Sequence, residues 1–127
     1  MKYEDLEVFK KSHELVLEIY EITKNFPKEE QTRIVNQMIR AAYSIPANIA
    51  EGNSRNTTKE YLNFLFISRG SLNELIYFLM LSKDLNYISN DIYLTYRKKC
   101  NVVGKLLNGL INSLKEFTKS QNPNPKS

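Results

Sequence analysis

Apolar residues recur at intervals of three and four along almost the whole chain of 127 residues, and this spacing constrains the fold more than any other feature. Such intervals place the side chains on one face of an α-helix. The chain has only four glycines and four prolines, so few positions end helices or form turns. We therefore predict an all-α protein built from long amphipathic helices.

The periodic segments are separated by short groups of residues that favour turns. The predicted helices cover about residues 4–24, 27–52, 58–86 and 90–117. Long helices with such short connections pack by folding back on one another. We predict an antiparallel up-down-up-down four-helix bundle over residues 1–119, followed by a disordered polar tail at residues 120–127.

The second helix contains a proline, Pro46, inside its amphipathic run. A proline in a helix cannot donate a hydrogen bond to the carbonyl four residues earlier, here that of Ala42, and its ring crowds that carbonyl. One bent helix and two helices with Pro46 opening the second are both compatible with the sequence. The bent helix is favoured because Ile45 would be a poor N-cap. We predict a proline-kinked second helix, in which Ser44 and Asn48 bond to the freed backbone groups.

Helices 1 and 3 differ in how much of their circumference is apolar. For helix 1 we predict one apolar seam of Leu6, Phe9, His13, Val16 and Tyr20, with a second seam of Val8, Leu15, Ile19 and Ile22 beside it. In helix 3 apolar residues lie around most of the circumference, which indicates either a central position in the bundle or contact with another subunit. We predict an oligomer interface from the aromatic residues of helix 3 and the acidic stripe of helix 1: Phe64, Phe66, Tyr77, Phe78, Glu14 and Glu18.

Positive charge is concentrated after the first helix, because residues 1–30 have a net charge of −3 and residues 31–127 a net charge of +7. Helix 4 keeps apolar residues at strict intervals of four and three from Tyr96 to Phe117. Its remaining surface is basic, with Arg97, Lys98, Lys99, Lys105, Lys115 and Lys119. This surface is a candidate track for RNA phosphates, since each neutralised phosphate releases counterions. The competing interpretations are an ordinary solvated face and contact with the acidic helix 1 of a neighbouring subunit in a ring.

The residue types needed for catalysis, metal binding and export are scarce. His13 is the only histidine, whereas a di-iron bundle needs two Glu-x-x-His pairs, so we expect no metal site and no cofactor. Cys100 is the single cysteine, which excludes an internal disulfide, and its position predicts a core residue rather than a nucleophile. The sequence shows no signal peptide and no run of about eighteen apolar residues. We expect a cytoplasmic, non-enzymatic protein without a membrane or small-molecule partner.

Several motifs together resemble a known family. They are Leu6-Glu-Val-Phe9, Phe26-Pro27, RAAYSIPANIAEG at residues 40–52 and GSLNEL at residues 70–75. They resemble the bacterial four-helix-bundle family named for the protein encoded in the intervening sequence of 23S ribosomal RNA. The resemblance covers about residues 3–117, and SIPANIAEG is its most specific part. Arg69 departs from the pattern, because a small residue is expected before Gly70.

The resemblance implies a four-helix bundle that assembles as a homopentameric ring and has no catalytic residues. A more distant similarity to the accessory variability determinant of diversity-generating retroelements implies the same class of partner, RNA with a reverse transcriptase. We therefore predict a non-enzymatic homo-oligomer that binds RNA or a ribonucleoprotein partner through basic surfaces. The alternative is a homo-oligomeric protein-interaction scaffold without nucleic-acid binding, including an accessory role to a reverse transcriptase.

Overall fold

The computed structural model describes residues 1–121, and this part of the chain folds into α-helices without any strand. The helices are α1 (Glu7–Thr23), α2 (Ile34–Asn53), α3 (Thr58–Asp84) and α4 (Asn90–Gln121). Short 3₁₀ turns at Tyr3–Asp5 and Lys28–Glu30 precede α1 and α2. The predicted all-α class with four helices is confirmed.

The four helices surround one hydrophobic core. α2 contacts α1 and α3, and α4 contacts α3 and α1. The middle of the core is formed by large side chains that are fully buried, among them Ile19, Met38, Ile45, Leu65, Leu75 and Leu107. Burying a side chain of this size stabilises a fold by roughly 1.5–3 kcal/mol each, so this arrangement is a helical bundle held together mainly by its apolar interior.

The predicted seams of α1 are correct for Val8, Leu15, Val16 and Ile19, which are buried, but wrong for His13 and Tyr20, which are exposed. His13 stacks on the ring of Phe9 with 6.2 Å between centroids, outside the core. The buried face consists of Val8, Ser12, Leu15, Val16, Ile19 and Thr23. The hydroxyls of Ser12 and Thr23 donate to carbonyls three and four residues earlier, at 3.0 and 2.8 Å. Hydroxyls bonded in this way can be buried at low cost, which shifts the buried face.

α2 is one helix, continuous from Ile34 to Asn53 with Pro46 inside it. Asn48 donates through Nδ2 to the carbonyl of Ser44 at 2.7 Å and to its hydroxyl at 2.9 Å. Pro46 leaves the carbonyl of Ala42 without its helical donor. Asn48 therefore does not bond to the freed carbonyl itself, but to the carbonyl of Ser44 two residues later. Ser68 of α3 donates to a further backbone carbonyl of this segment, that of Ile45, at 2.6 Å. The polar residues around the proline therefore tie α2 to α3.

α3 is bounded by two specific caps. Thr57 precedes it as the N-cap, and its Oγ1 accepts a hydrogen bond from the backbone N–H of Glu60 at 3.2 Å. At the other end Asn86 adopts a left-handed conformation with φ of 62°. The N–H of the following Tyr87 donates to the carbonyl of Ser82 at 2.8 Å, which is the Schellman arrangement. Both ends of α3 are thus fixed by local sequence.

α3 is also the most apolar helix, and by length and composition it could cross a membrane. The sequence criterion of an uninterrupted apolar run did not single it out. In the bundle one face of α3 is buried between α2 and α4, with Leu65, Leu72, Leu75 and Leu79 almost inaccessible. Its opposite face remains open in the single chain.

α4 is longer than predicted and ends at Gln121. The first two residues of the predicted disordered tail are therefore helical, and residues 122–127 lie outside the described residues. The buried positions of α4 are Cys100, Val103, Leu107 and Ile111. Phe117, which was expected on the same face, is 53% exposed. Intervals of four and three average 3.5 residues, whereas an α-helix turns every 3.6, so the predicted face drifts by about 20° in each heptad.

Candidate nucleic-acid and subunit surfaces

The basic residues predicted on α4 fall into different environments. Lys98 and Lys105 are exposed. Arg97 is half-buried. Within residues 1–121 none of these three side chains forms an ion pair. Their charges are therefore available to an anionic partner.

The other predicted basic residues are already engaged inside the chain. Lys99 forms an ion pair with Glu18 of α1, with 2.8 Å between Nζ and Oε2. Lys119 lies 3.7 Å from a carboxylate oxygen one turn earlier in α4. The ammonium of Lys115 lies over the ring of Phe66, 5.5 Å from its centroid. Lys99 and Glu18 were predicted for two different intermolecular surfaces, and the structure instead brings them together between α4 and α1.

A groove of about 550 Å³ runs between α3 and α4. We call it the α3–α4 groove, and its walls carry three cationic side chains and three amides: Arg69, Arg97, Lys105, Asn73, Asn101 and Asn108. Its floor is formed by Leu72, Ile76, Cys100 and Gly104. No carboxylate belongs to this lining. The groove therefore has the chemistry of an anion-binding surface with hydrogen-bonding side chains.

Arg69 is the functional candidate that the sequence reading missed. Its Nη1 donates to Oδ1 of Asn108 across the groove at 3.2 Å. Its guanidinium also lies over the ring of Phe66, 5.1 Å from the centroid. The feature of the sequence that could have pointed to Arg69 is its charge, beside Gly70 in a largely apolar helix. Its hydrogen-bond partner Asn108 lies on α4, however, and a helical wheel of α3 alone does not show it.

The groove continues toward an apolar recess near the end of α4. This recess has a volume of about 370 Å³ and is lined by Thr58, Lys59, Leu62, Asn63, Phe66, Phe117, Thr118 and Gln121. Phe66 and Phe117 are both solvent-exposed. Phe66 belongs to the recess and also contacts Arg69 of the α3–α4 groove. The basic surface and the exposed aromatic rings are therefore adjacent.

The aromatic residues predicted for an oligomer interface are only partly accessible. Phe66 and Tyr77 are exposed, by 37% and 51%. Phe64 and Phe78 are half-buried, and the guanidinium of Arg55 covers the ring of Phe64 at 4.7 Å. Further exposed apolar side chains are Ile67 and Met80 on α3, and Leu85 directly after it. Glu14, the second acidic residue predicted for this interface, lies 3.6 Å from Lys11 on its own helix.

Cys100 has the environment of a core residue. It is fully buried, and burial raises the pKa of its thiol to about 12. A thiol of this kind carries almost no thiolate at neutral pH and is a poor nucleophile. In the described part of the chain no three His, Cys, Asp or Glu side chains come together in a way that could hold a metal ion.

The fold and these surfaces define an all-α helical bundle that presents a basic groove and an exposed apolar helix face. The chain belongs to the 23S rRNA-intervening sequence protein family, whose model matches residues 4–109. The resemblance inferred from the sequence motifs is thereby confirmed.

One solved structure shows the same fold. It is the crystal structure of a protein with unknown function from the S23 ribosomal protein family, from Bacteroides thetaiotaomicron VPI-5482. The two chains have a TM-score of 0.78 and 28% sequence identity, over 88% of this chain and 99% of the other. No curated protein is similar enough to this chain to count as a relative.

Proposed function

We propose that this chain is a non-enzymatic RNA-binding protein that acts as a homo-oligomer in the cytoplasm. It binds RNA or a ribonucleoprotein partner through the basic surface of α4 and the neighbouring part of α3. The family name refers to 23S rRNA and the structural relative to a ribosomal protein family, which supports RNA as the partner class. It takes no small-molecule substrate and no membrane as partner.

The observation that carries this proposal is the α3–α4 groove. Arg69, Arg97 and Lys105 line it without any carboxylate. Guanidinium groups bind phosphate oxygens through paired hydrogen bonds, while a lysine acts as a point charge. A polyanion that neutralises these groups also releases its counterions, which favours binding at low salt.

The alternative function is a homo-oligomeric protein-interaction scaffold without nucleic-acid binding, including an accessory role to a reverse transcriptase. It is favoured by the open face of α3, where Phe66, Ile67 and Tyr77 are exposed. Large exposed apolar patches mark interaction sites. In both functions we propose that copies of the chain assemble through this face, as a pentameric ring, and repetition of one weak RNA site around a ring increases avidity.

The proposed course of the bundle is up-down-up-down with a bend at Pro46. Cross-helix contacts support the antiparallel course of α2 and α3, because Met38 contacts Ser82 while Ile45, further along α2, contacts Ser68, earlier in α3. A bend is supported by the missing backbone donor and the ring bulk of proline.

The function is tested by replacing Lys98 and Lys105 together with glutamate. Loss of RNA retention with an unchanged oligomer mass by light scattering supports the RNA track. Dissociation into monomers at low salt would instead show that these lysines hold the subunits together. The matched control replaces Lys10 and Lys28, which are exposed and precede α2, with the same change of charge.

A second measurement separates RNA binding from scaffolding. The full chain is purified from lysate with and without nuclease, and the purified protein is then titrated with RNA at several salt concentrations. Nucleic acid that co-purifies, together with an affinity that falls steeply with salt, supports the proposal. A chain without nucleic acid, whose weak RNA binding is unchanged between low and moderate salt, would refute it.

A further inference from the structure

Resting on the RNA-binding function above, we propose that the α3–α4 groove takes a single RNA strand rather than a duplex. The phosphates lie against Arg97, Lys105 and Arg69, and a base stacks on the exposed ring of Phe117. Positive charge alone does not indicate which part of the α4 surface binds RNA or which form of RNA it binds. The proposal names both.

The groove and the aromatic recess are adjacent, so a strand bound in the groove can follow a path along α4 into the recess. Along α4 the path runs from Arg97 past Lys105 to Phe117, which spans about 30 Å at 1.5 Å per residue. Arg69 joins the two parts, because it bonds to Asn108 in the groove and lies over Phe66 in the recess. A strand that follows this path meets cations first and aromatic rings afterwards.

The side chains of the groove favour a single strand. The groove combines cations with amides and lies beside the exposed ring of Phe117. An extended single strand can present its phosphates to the cations and an unpaired base to the ring. A duplex keeps its bases paired inside and offers the ring no free base face. Proteins that recognise duplex RNA read its outer shape and minor groove, whereas unpaired bases are bound by stacking.

The exposed ring of Phe117 supplies the stacking surface. Phe117 is 53% exposed and makes no aromatic pair within the described residues. The neighbouring ring of Phe66 is covered by the cations Arg69 and Lys115, at 5.1 and 5.5 Å from its centroid, and belongs to the proposed subunit face. Basic grooves with aromatic side chains along them are typical of proteins that bind single strands, because every base has a flat face that can stack.

The amides favour RNA over DNA in this groove. Asn73, Asn101 and Asn108 each carry a donor and an acceptor. The 2′-hydroxyl of ribose is likewise both donor and acceptor, and it is the group that distinguishes RNA from DNA at a given site. A strand whose phosphates lie between these amides places its ribose groups within their reach.

The acidic stripe of a neighbouring α1 is the main rival occupant, and its charge is largely used within its own chain. The glutamates in its middle are paired as Glu14 with Lys11, Glu18 with Lys99 and Glu21 with Lys24. An acidic surface neutralised in this way attracts the cations of the groove less strongly than a phosphate backbone does. The observations therefore favour the nucleic acid.

The inference is tested by fluorescence anisotropy with the full chain. One short labelled RNA is offered as a single strand, as a hairpin of the same composition and as the corresponding single-stranded DNA. We expect the single RNA strand to bind about tenfold or more tighter than the hairpin, and tighter than the DNA. Photo-crosslinking with iodouridine in the RNA, followed by mass spectrometry, should mark peptides that contain Phe117.

Matched substitutions locate the site. Lys105→Gln, in the groove, should weaken RNA binding. It should also reduce the slope of log affinity against log salt concentration by about one. Lys10→Gln, an exposed lysine of α1 outside the proposed RNA surface, should change neither. Phe117→Ala should weaken single-strand binding by roughly fivefold to a hundredfold, since stacking of one base contributes about 1–3 kcal/mol. Leu94→Ala, an equally exposed apolar residue of α4 outside the groove, is its control.

The possible failures are distinguishable. Equal affinities for strand and hairpin, equal effects of Lys10→Gln and Lys105→Gln, or crosslinks confined to α1 would overturn the groove as the single-strand site while leaving RNA binding intact. Equal affinity for the DNA strand would overturn the assignment to RNA. Displacement of RNA by polyglutamate as effectively as by unlabelled RNA would point to an acidic protein instead. Absence of any salt-sensitive RNA binding would overturn the proposed function itself.

Discussion

Gly52 lies where α3 packs most closely on α2, and its replacement by alanine gives a sharp test of the packing. A Cβ atom at this position would lie 2.9 Å from Cβ of Phe64, 2.9 Å from Cδ1 of Tyr61 and 3.2 Å from the backbone oxygen of Tyr61. The ring of Tyr61 can move, but Cβ of Phe64 and the carbonyl move only with the backbone of α3. Gly52→Ala must therefore push the two helices apart.

Gly70 of α3 provides the matched control. It is exposed, and a Cβ built there meets no atom within 4 Å. Both glycines lie in helices, where alanine is more favourable than glycine by about 1 kcal/mol. Overpacking costs about 1–3 kcal/mol. We expect Gly70→Ala to stabilise the protein by up to about 1 kcal/mol, and Gly52→Ala to be about 1–3 kcal/mol less stable than Gly70→Ala.

Thermal unfolding followed by circular dichroism measures this difference. For a chain of this size 1 kcal/mol corresponds to about 3–5 °C in Tm, so the two variants should differ by about 3–15 °C. Both must be measured at one protein concentration, because assembly would also shift Tm. Equal Tm values, or a higher Tm for Gly52→Ala, would show that the close approach of α2 and α3 at Gly52 is incorrect.

Three further predictions concern single side chains. Asn86→Ala should destabilise the protein by about 1 kcal/mol in a denaturant titration, because alanine tolerates the left-handed φ of 62° poorly, whereas Asn86→Gly should not. Alkylation of Cys100 near pH 8 should be at least about a thousandfold slower in the folded than in the unfolded chain, because the pKa rises from 9.0 to about 12. The hydrogen bond to the Glu30 carboxylate, 2.7 Å away, raises the pKa of Tyr87 above its ordinary value of 10.0. Its stabilising effect should therefore be fully present below pH 10 and be lost as the pH rises further, and Tyr87→Phe should reduce the fall of Tm in that alkaline range.

The helices and most of the core were predictable because hydrophobic periodicity is local information. In α3 the spacing of Leu65, Leu72, Leu75 and Leu79 places them on one helix face, and the structure buries that face. In α1 the spacing identified Val8, Leu15, Val16 and Ile19, which are buried, but it also included the exposed His13 and Tyr20 and left out the hydroxyl residues Ser12 and Thr23. The structure buries these by letting each bond to a carbonyl of its own helix.

The candidate site was less predictable, because it depends on which helix faces lie opposite one another. Lys105 was singled out from the sequence, and the structure places it in the α3–α4 groove. Lys99 was singled out for the same reason, but Glu18 lies opposite it on α1. Residues 81 positions apart in the chain, as these two are, are brought together only by the packing of the helices. Arg69 was missed because its hydrogen-bond partner, Asn108, lies on α4.

The length of α4 has a consequence for how its far end moves. α4 has 32 residues and is about 48 Å long, whereas α1 has 17 and is about 26 Å long. From residue 112 to residue 121 only Leu114 is even half-buried. These last turns can unwind while the rest stays folded, since few apolar contacts oppose local opening. Amide hydrogens in these turns should exchange with deuterium faster than those in the rest of the helices. RNA bound at Phe117 should slow exchange in these turns more than elsewhere in the chain.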